Sequence, residues 1–354
     1  MDEKTNLVNN ETTIDKAAIY KDAKVWRKIV VKHQKPDLAK AIWQLINTLV
    51  PFIAIWVAMS FVYDYSIWLT IPLILIAGGL GVRIFIIFHD CGHQSFFKSR
   101  KANDFLGYLL GVLAFTPFRF WHWEHKIHHS TTGDLDRRSV GDVWTMTVKE
   151  YEESSWLKRM LYRFVRNPWV LFTFSPIFLF FIWQRFSAKQ ASMKDRLSVL
   201  WTNIGIAAMI AAGCSIFGWQ KYLILQFAVS SVTNSAGVWL FYVQHQFEDV
   251  YWARNEEWNF AAAALEGSSF YKLPKVLQWF SGNIGYHHIH HLSSRIPNYR
   301  LEECHNSEPI FQEVPPMTLR SSMACLKYRL HDEENGRLVG FSYLKQHRMA
   351  QAKG

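Results

Sequence analysis

Long stretches of this chain lack charge altogether. Residues 41–62, 66–82, 197–217 and 222–244 contain no Asp, Glu, Lys or Arg, and each run is long enough to cross a hydrocarbon core of about 30 Å as a helix. Buried helices of soluble domains are usually shorter, so four such runs exclude a purely soluble protein. Cysteine is scarce too. Cys91, Cys214, Cys304 and Cys325 are the only four, none forms a CxxC pair, and Cys214 sits inside an apolar run. A disulfide framework is therefore not expected, which fits polar parts facing a reducing cytoplasm. The first forty residues have no apolar core ending in a small-residue cleavage site, so no removable signal peptide is expected. Internal repeats and low-complexity tracts are absent as well.

What is present is apolar and aromatic: 50% of the 354 residues are hydrophobic, with 26 Phe and 16 Trp, and only 19% are charged. A mean hydropathy of -0.03 nevertheless requires a large polar part outside the bilayer, and residues 89–166 and 245–354 supply it. The net charge of +10 would suit nucleic acid, an anionic membrane surface or an acidic protein. With spanning helices present, nucleic acid is not an expected partner.

Positive charge sets the expected topology. The turn at residues 63–65 carries only Asp64, and the turn at 218–221 only Lys221, so both read as external. Residues 1–40 hold nine Lys/Arg, and the connector 184–196 holds Arg185, Lys189, Lys194 and Arg196, which places both inside. Two further apolar pieces, 105–118 and 168–184, are short or interrupted by Pro168 and Pro176. Parity makes them interfacial or re-entrant. The expected fold is an all-α integral membrane protein with four transmembrane helices in two hairpins, interfacial helices and a cytoplasmic cap. Its divisions are a cytoplasmic segment 1–40, a first hairpin 41–88, a cytoplasmic region 89–196, a second hairpin 197–244 and a cytoplasmic region 245–354. Arg83 is expected to snorkel to the headgroups.

The chemistry lies in the histidines. Eleven of fifteen fall in four places: His89 and His93; His122, His125, His128 and His129; His245; and His287, His288, His290 and His291. On a helix, positions i, i+3 and i+4 share a face, so HDCGH, HKIHH and HHIHH put eight imidazoles on three stripes. Burying so many neutral rings is costly unless metal accepts their lone pairs. One zinc needs three or four protein ligands, and eight or nine suit two metals with open positions. Imidazole serves Zn, Cu, Fe and Ni alike. His33, His305, His331 and His347 read as ordinary hydrogen-bonded residues.

The runs FHDCGHQSFF, HWEHKIHHSTTGDLDRR followed by GDVW, and GNIGYHHIHHLSSRIPNY resemble the three histidine boxes of the membrane fatty acid desaturases in order and spacing. FYVQHQFED and EGSSFYKLPKVLQWFSGNIGYHH are similar to bacterial acyl-lipid desaturases, particularly the cold-induced Δ5-type phospholipid enzymes. The resemblance implies an O2-dependent enzyme with two iron ions (Fe2+/Fe3+) that introduces a cis double bond into a saturated acyl chain of membrane lipid. It makes His89, His93, His125, His128, His129, His287, His290 and His291 metal ligands and His245 a ninth, and does not require His122 or His288. No catalytic group beyond these ligands is implied. Chemistry agrees: an unactivated methylene has neither an acidic proton nor a leaving group, so oxidation rather than hydrolysis must attack it.

Metal-bound imidazoles need neighbouring acceptors to fix their tautomers, and Asp90, Glu124, Asp134, Asp136 and Glu248 lie beside the boxes. The aromatic residues 118–123 and Trp144 read mostly as an interfacial belt. The chain contains no nicotinamide or flavin fingerprint and no HPGG haem motif, so no organic cofactor is expected and electrons must come from outside. The resemblance suggests ferredoxin or flavodoxin, acidic proteins attracted to a basic face. The expected location is the plasma membrane, multi-pass, with the active site on the cytoplasmic side. A di-iron hydroxylase of alkanes or other lipids is the alternative. A metal transporter fits less well, because it should place ligands near the bilayer midplane, whereas these boxes lie at or beyond helix ends.

Overall fold

The structure, a computed structural model, describes residues 16–138 and 140–351. Residues 1–15 of the N-terminal segment and the His347 side chain lie outside the described residues.

In hydrocarbon every backbone N–H and C=O must be paired internally, and the charge-free runs form helices accordingly. Helix α1 (Leu38–Tyr65) begins where Asp37 accepts from the Lys40 backbone N–H at 3.1 Å. After the single extended residue Ser66 the chain reverses into α2 (Ile67–Gly92). Helices α3 (Arg100–Leu113), capped by Ser99, and α4 (Phe118–Thr131) follow. A reciprocal Ser192–Asp195 capping box opens α5 (Met193–Phe217). Gly218, at φ +83°, makes the turn into α6 (Trp219–His245), a left-handed conformation that glycine adopts without steric cost. The short helix α7 (His287–Leu292) carries the third box.

Among the described residues four helices, α1, α2, α5 and α6, are long and apolar enough to cross a membrane, which gives the two expected hairpins. The pieces Trp156–Val165 and Val170–Arg185 are bent by 60° and would add a fifth span only if they crossed together. Wide π-type turns at Val170–Phe174 and Phe178–Ile182 flank Pro176, whose missing N–H interrupts regular pairing. The polar cap is mostly helical but contains two small sheets. Met146–Thr147 runs parallel to Leu330–Asp332, which pairs antiparallel with Arg337–Val339, and Phe270–Tyr271 runs parallel to Pro316–Met317.

Two close contacts join the hairpins. A Cβ on Gly78 would lie 2.3 Å from Val232 Cγ1, and one on Gly81 would lie 2.2 Å from Thr233 Oγ1. The glycines thus let α2 and α6 meet backbone to side chain, as small residues do between membrane helices, and Thr233 Oγ1 donates to the Gly78 carbonyl at 3.0 Å. At the ends remote from the histidines, Lys221 pairs with Asp64 and donates to the Ser60 carbonyl at 3.0 Å, so the lone charges of the two turns bind each other. A Gly78→Val protein should unfold in detergent with a loss of about 1–3 kcal/mol from overpacking. An unchanged thermal midpoint would contradict this packing.

Arg83 corrects one expectation. It is buried and turns inward instead of snorkelling: it donates to Thr48 Oγ1 at 3.0 Å and to the Trp279 carbonyl, and its guanidinium lies 4.3 Å from the Trp279 ring centroid. The partners absorb the charge, and the residue clamps α1, α2 and the cap together. All four cysteines are unpaired. Helix Ala23–Val30 covers the cap, with Trp26 stacked on Phe260 at 5.7 Å and Ile29 and Val30 in one buried cluster with Ile289 and Leu292 of α7.

Candidate metal centre

Four elements deliver the histidines. The last turn of α2 presents His89, and the chain leaves the helix at His93 before Gln94 takes φ 58°. His125, His128 and His129 come from α4, His245 ends α6, and His287, His290 and His291 lie on α7. The structure brings all nine together in two groups. In one, ring nitrogens of His89, His93, His125, His129 and His290 lie within 4.8 Å of one another; in the other, those of His128, His245, His287 and His291 do so. The groups adjoin: His128 and His129 are consecutive, and the His129 and His291 rings stack at 4.2 Å.

This arrangement revises the single stripe expected for each box. The i, i+4 pairs, His125 with His129 and His287 with His291, stay together, while the i+3 members His128 and His290 cross to the opposite group. At 100° per residue, i+3 and i+4 fall on opposite sides of the mean direction. When two targets lie side by side, that spread separates them.

The rings fit metal rather than one another. Nε2 of His129 lies 3.0 Å from Nε2 of both His125 and His290, and Nε2 of His245 lies 2.9 Å from Nε2 of His287. A neutral imidazole has one donor and one acceptor, so His129 Nε2 cannot serve both neighbours equally. Nε2 of His93, of His128 and of His291 is buried without a hydrogen-bond partner among the described residues. Each orphaned polar atom costs about 1–3 kcal/mol, and a cation at the focus of each group would relieve the converging lone pairs. Burial, and after it the neighbouring rings, holds His93, His125, His129, His287, His290 and His291 well below the usual histidine range. They are neutral at physiological pH, the form that ligates metal.

Outer acceptors orient three of these rings. His89 Nδ1 lies 3.2 Å from Asp90 Oδ1, whose other oxygen accepts from the Asn298 backbone N–H at 2.6 Å and its side-chain amide at 2.8 Å. Asn298 Oδ1 in turn accepts from Gln44 at 2.9 Å, so the first box, the third and α1 share one chain of bonds. His128 Nδ1 meets Asp142 Oδ1 at 2.6 Å, and His245 Nδ1 meets the Gly267 carbonyl at 3.2 Å. A proton held on Nδ1 leaves the Nε2 lone pair facing inward.

The other carboxylates named from sequence contact different partners. Asp134 holds Arg137, Asp136 holds Arg254 and the Asn255 backbone N–H, and Glu248 accepts from Tyr328 OH at 2.6 Å. Glu124 accepts from Gln184 at 3.3 Å, and burial pushes its carboxyl up to about 7. Asp142 was not foreseen among the acceptors. Its signal was the GDVW that follows the second box, but no helical spacing links it to His128, fourteen positions earlier and beyond the end of α4.

His288 points away from both groups and shares a 3.0 Å hydrogen bond with His305. The His122 ring centroid is 6.2 Å from that of His93, and His122 belongs to neither group. The aromatic belt is only partial: Phe118 and Phe120 are buried, and Trp121 stacks on His125 at 4.4 Å. A groove of about 670 Å³, lined by Arg27, Lys126 and Arg295, reaches His129 and His291, one from each group.

Fold and site define a polytopic membrane protein with a paired, all-imidazole centre suited to metal, set where spanning helices meet a polar cap. The family model for fatty acid desaturases matches residues 66–320. A fatty acid desaturase of Bacillus subtilis (strain 168) is 47% identical over 318 residues, covering 90% of each chain. More distant are two Synechocystis proteins: an sn-1 oleoyl-lipid 12-desaturase, 28% identical over 250 residues and 69% of each chain, and an sn-1 acyl-lipid omega-3 desaturase (ferredoxin), 27% identical over 265 residues, 70% of this chain and 69% of the relative. The chain belongs to the fatty acid desaturase family and is an oxidoreductase.

Proposed function

We propose that each histidine group holds one iron ion and that the chain uses O2 to introduce a cis double bond into a saturated acyl chain of a membrane glycerolipid. The observation that carries this reading is the pair of adjoining imidazole groups, five and four strong. His89, His93, His125, His129 and His290 would hold one ion and His128, His245, His287 and His291 the other. Bound iron would supply activation of O2 strong enough to take hydrogen from an unactivated methylene. Asp90, Asp142 and the Gly267 carbonyl hold the Nδ1 protons of His89, His128 and His245 and so keep these rings aimed. The apolar wall at Trp121 and Phe88, whose ring centroids are 5.0 Å apart, excludes water beside the first group.

The balance is one –CH2–CH2– unit, O2, two electrons and two protons giving –CH=CH– and two waters. A centre at the ends of spanning helices suits a chain that stays in the bilayer, and the acyl-lipid substrates in the relatives' names support that choice. The two electrons come from a separate acidic carrier, ferredoxin or flavodoxin. The ferredoxin in a relative's name supports this, as does the groove whose cations Arg27, Lys126 and Arg295 lead to His129 and His291. The excess of Lys/Arg in residues 1–40 and 184–196 supports a cytoplasmic centre in the plasma membrane.

Expression in a bacterium without polyunsaturated lipids, followed by mass spectrometry of derivatised acyl chains, tests the reaction. New double bonds in lipid-bound chains are expected; a hydroxylated product would replace the desaturase reading with the hydroxylase one. Sidedness has its own test. A cysteine at Tyr65, which is exposed at the remote turn, should react with an impermeant thiol reagent from outside, and one at Lys149 should not. External labelling at Lys149 would reverse the topology.

A further inference from the structure

Helix Trp156–Val165 is amphipathic in an unusual sense. At 100° per residue, Trp156, Leu157, Met160, Leu161 and Phe164 share one side, and each is more than half exposed, from 51% to 69%. The opposite side is anchored: Tyr162 is fully buried and donates to the Arg329 carbonyl. Lys158 borders the apolar side on one flank, and Arg159 and Arg163 border it on the other. An exposed apolar stripe with basic flanks is the pattern of a helix lying in a membrane interface.

Along the arginine flank runs a groove of about 620 Å³, between this helix and helix Tyr343–Gln351. Arg159, Arg163 and Lys345 line it, together with Trp156 at the apolar edge, and no acidic residue does among the described residues. Tyr151 fixes Arg163, accepting from Nε at 2.5 Å, while the guanidinium rests 4.3 Å from the Phe341 ring centroid. Arg159 and Lys345 make no ion pair among the described residues. Three cations thus line one groove, none of them in an ion pair among the described residues, and one is pre-positioned by packing. Guanidinium recognises phosphate oxygens by bidentate hydrogen bonds.

We propose that this groove binds the phosphate headgroup of an anionic phospholipid, with helix Trp156–Val165 seated in the headgroup layer. The complement is in both charge and polarity: phosphate for the cations, acyl chains for the apolar stripe. This site stands apart from the histidine centre, so it holds or fails independently of the proposed reaction.

Native mass spectrometry of the full chain in detergent, titrated with phosphatidylglycerol or phosphatidylcholine, tests it. Wild type should bind phosphatidylglycerol about tenfold more tightly, a difference of about 1.4 kcal/mol. Arg159→Gln with Lys345→Gln should bring the two lipids to near parity, and the charge-preserving Arg159→Lys with Lys345→Arg should keep the preference. An undiminished preference in the glutamine pair would overturn the proposal, as would displacement of the lipid by millimolar inorganic phosphate, which would mark a site for a soluble anion.

Discussion

His290→Ala should abolish desaturation and weaken metal binding in the five-histidine group, and His128→Ala should do the same in the four-histidine group. These two residues are the members that cross from the i, i+4 pairs of their own boxes, so each removes the only contribution its box makes to that group. The loss should exceed the roughly 10–100-fold that removal of an outer hydrogen-bond partner causes, because a direct ligand is gone. His245→Ala belongs with them, since its ring meets His287 at 2.9 Å within the group of four. His288→Ala is the internal control. Although buried, it bonds to His305 and not to the centre, so the variant should lose some stability and keep its metal and substantial activity. Iron stoichiometry and lipid unsaturation, measured together, check the set. Full activity in His290→Ala beside an inactive His288→Ala would put the third box in the wrong register.

Asp142→Ala should lower metal affinity or activity by about 10–100-fold without removing any ligand. The Asp142 carboxylate accepts the His128 Nδ1 proton at 2.6 Å. Without it, Thr132 Oγ1, at 3.2 Å from the same nitrogen and donating to the His128 carbonyl, is the remaining acceptor, a neutral hydroxyl in place of a carboxylate, so the ring and its tautomer are held less firmly. Asp136→Ala separates this effect from a general loss of charge near the second box. Asp136 is closer to the second box in sequence but holds Arg254, so its removal should leave metal content unchanged. Titration of the two apoproteins with ferrous iron under anaerobic conditions measures the difference, and equal affinity in both variants would remove Asp142 from the support of the centre.

Much of this molecule was legible because it depends on local composition. Absence of charge over long runs marked the four crossing helices, and HDCGH, HKIHH and HHIHH marked eight clustered imidazoles. What escaped depends on contacts distant in sequence. Arg83 at the end of an apolar run reads as a snorkelling residue unless Thr48 and the Trp279 carbonyl are known to meet it. Asp64 and Lys221 each read as an isolated turn charge, and only the packing of the two hairpins pairs them. Helical periodicity put His128 beside His125 and His129, which is correct for the face, but the division into two groups depends on where α6 and α7 present His245 and His287. Asp142 reaches His128 through a turn, and a turn has no periodicity to read.

The most direct test of the paired centre is the metal content of the full chain purified anaerobically from iron-replete cells, determined by elemental analysis against protein concentration. Two adjoining groups of five and four imidazoles predict about two metals per chain, predominantly iron. A reproducible content of one zinc per chain, with no iron-dependent desaturation, would contradict it.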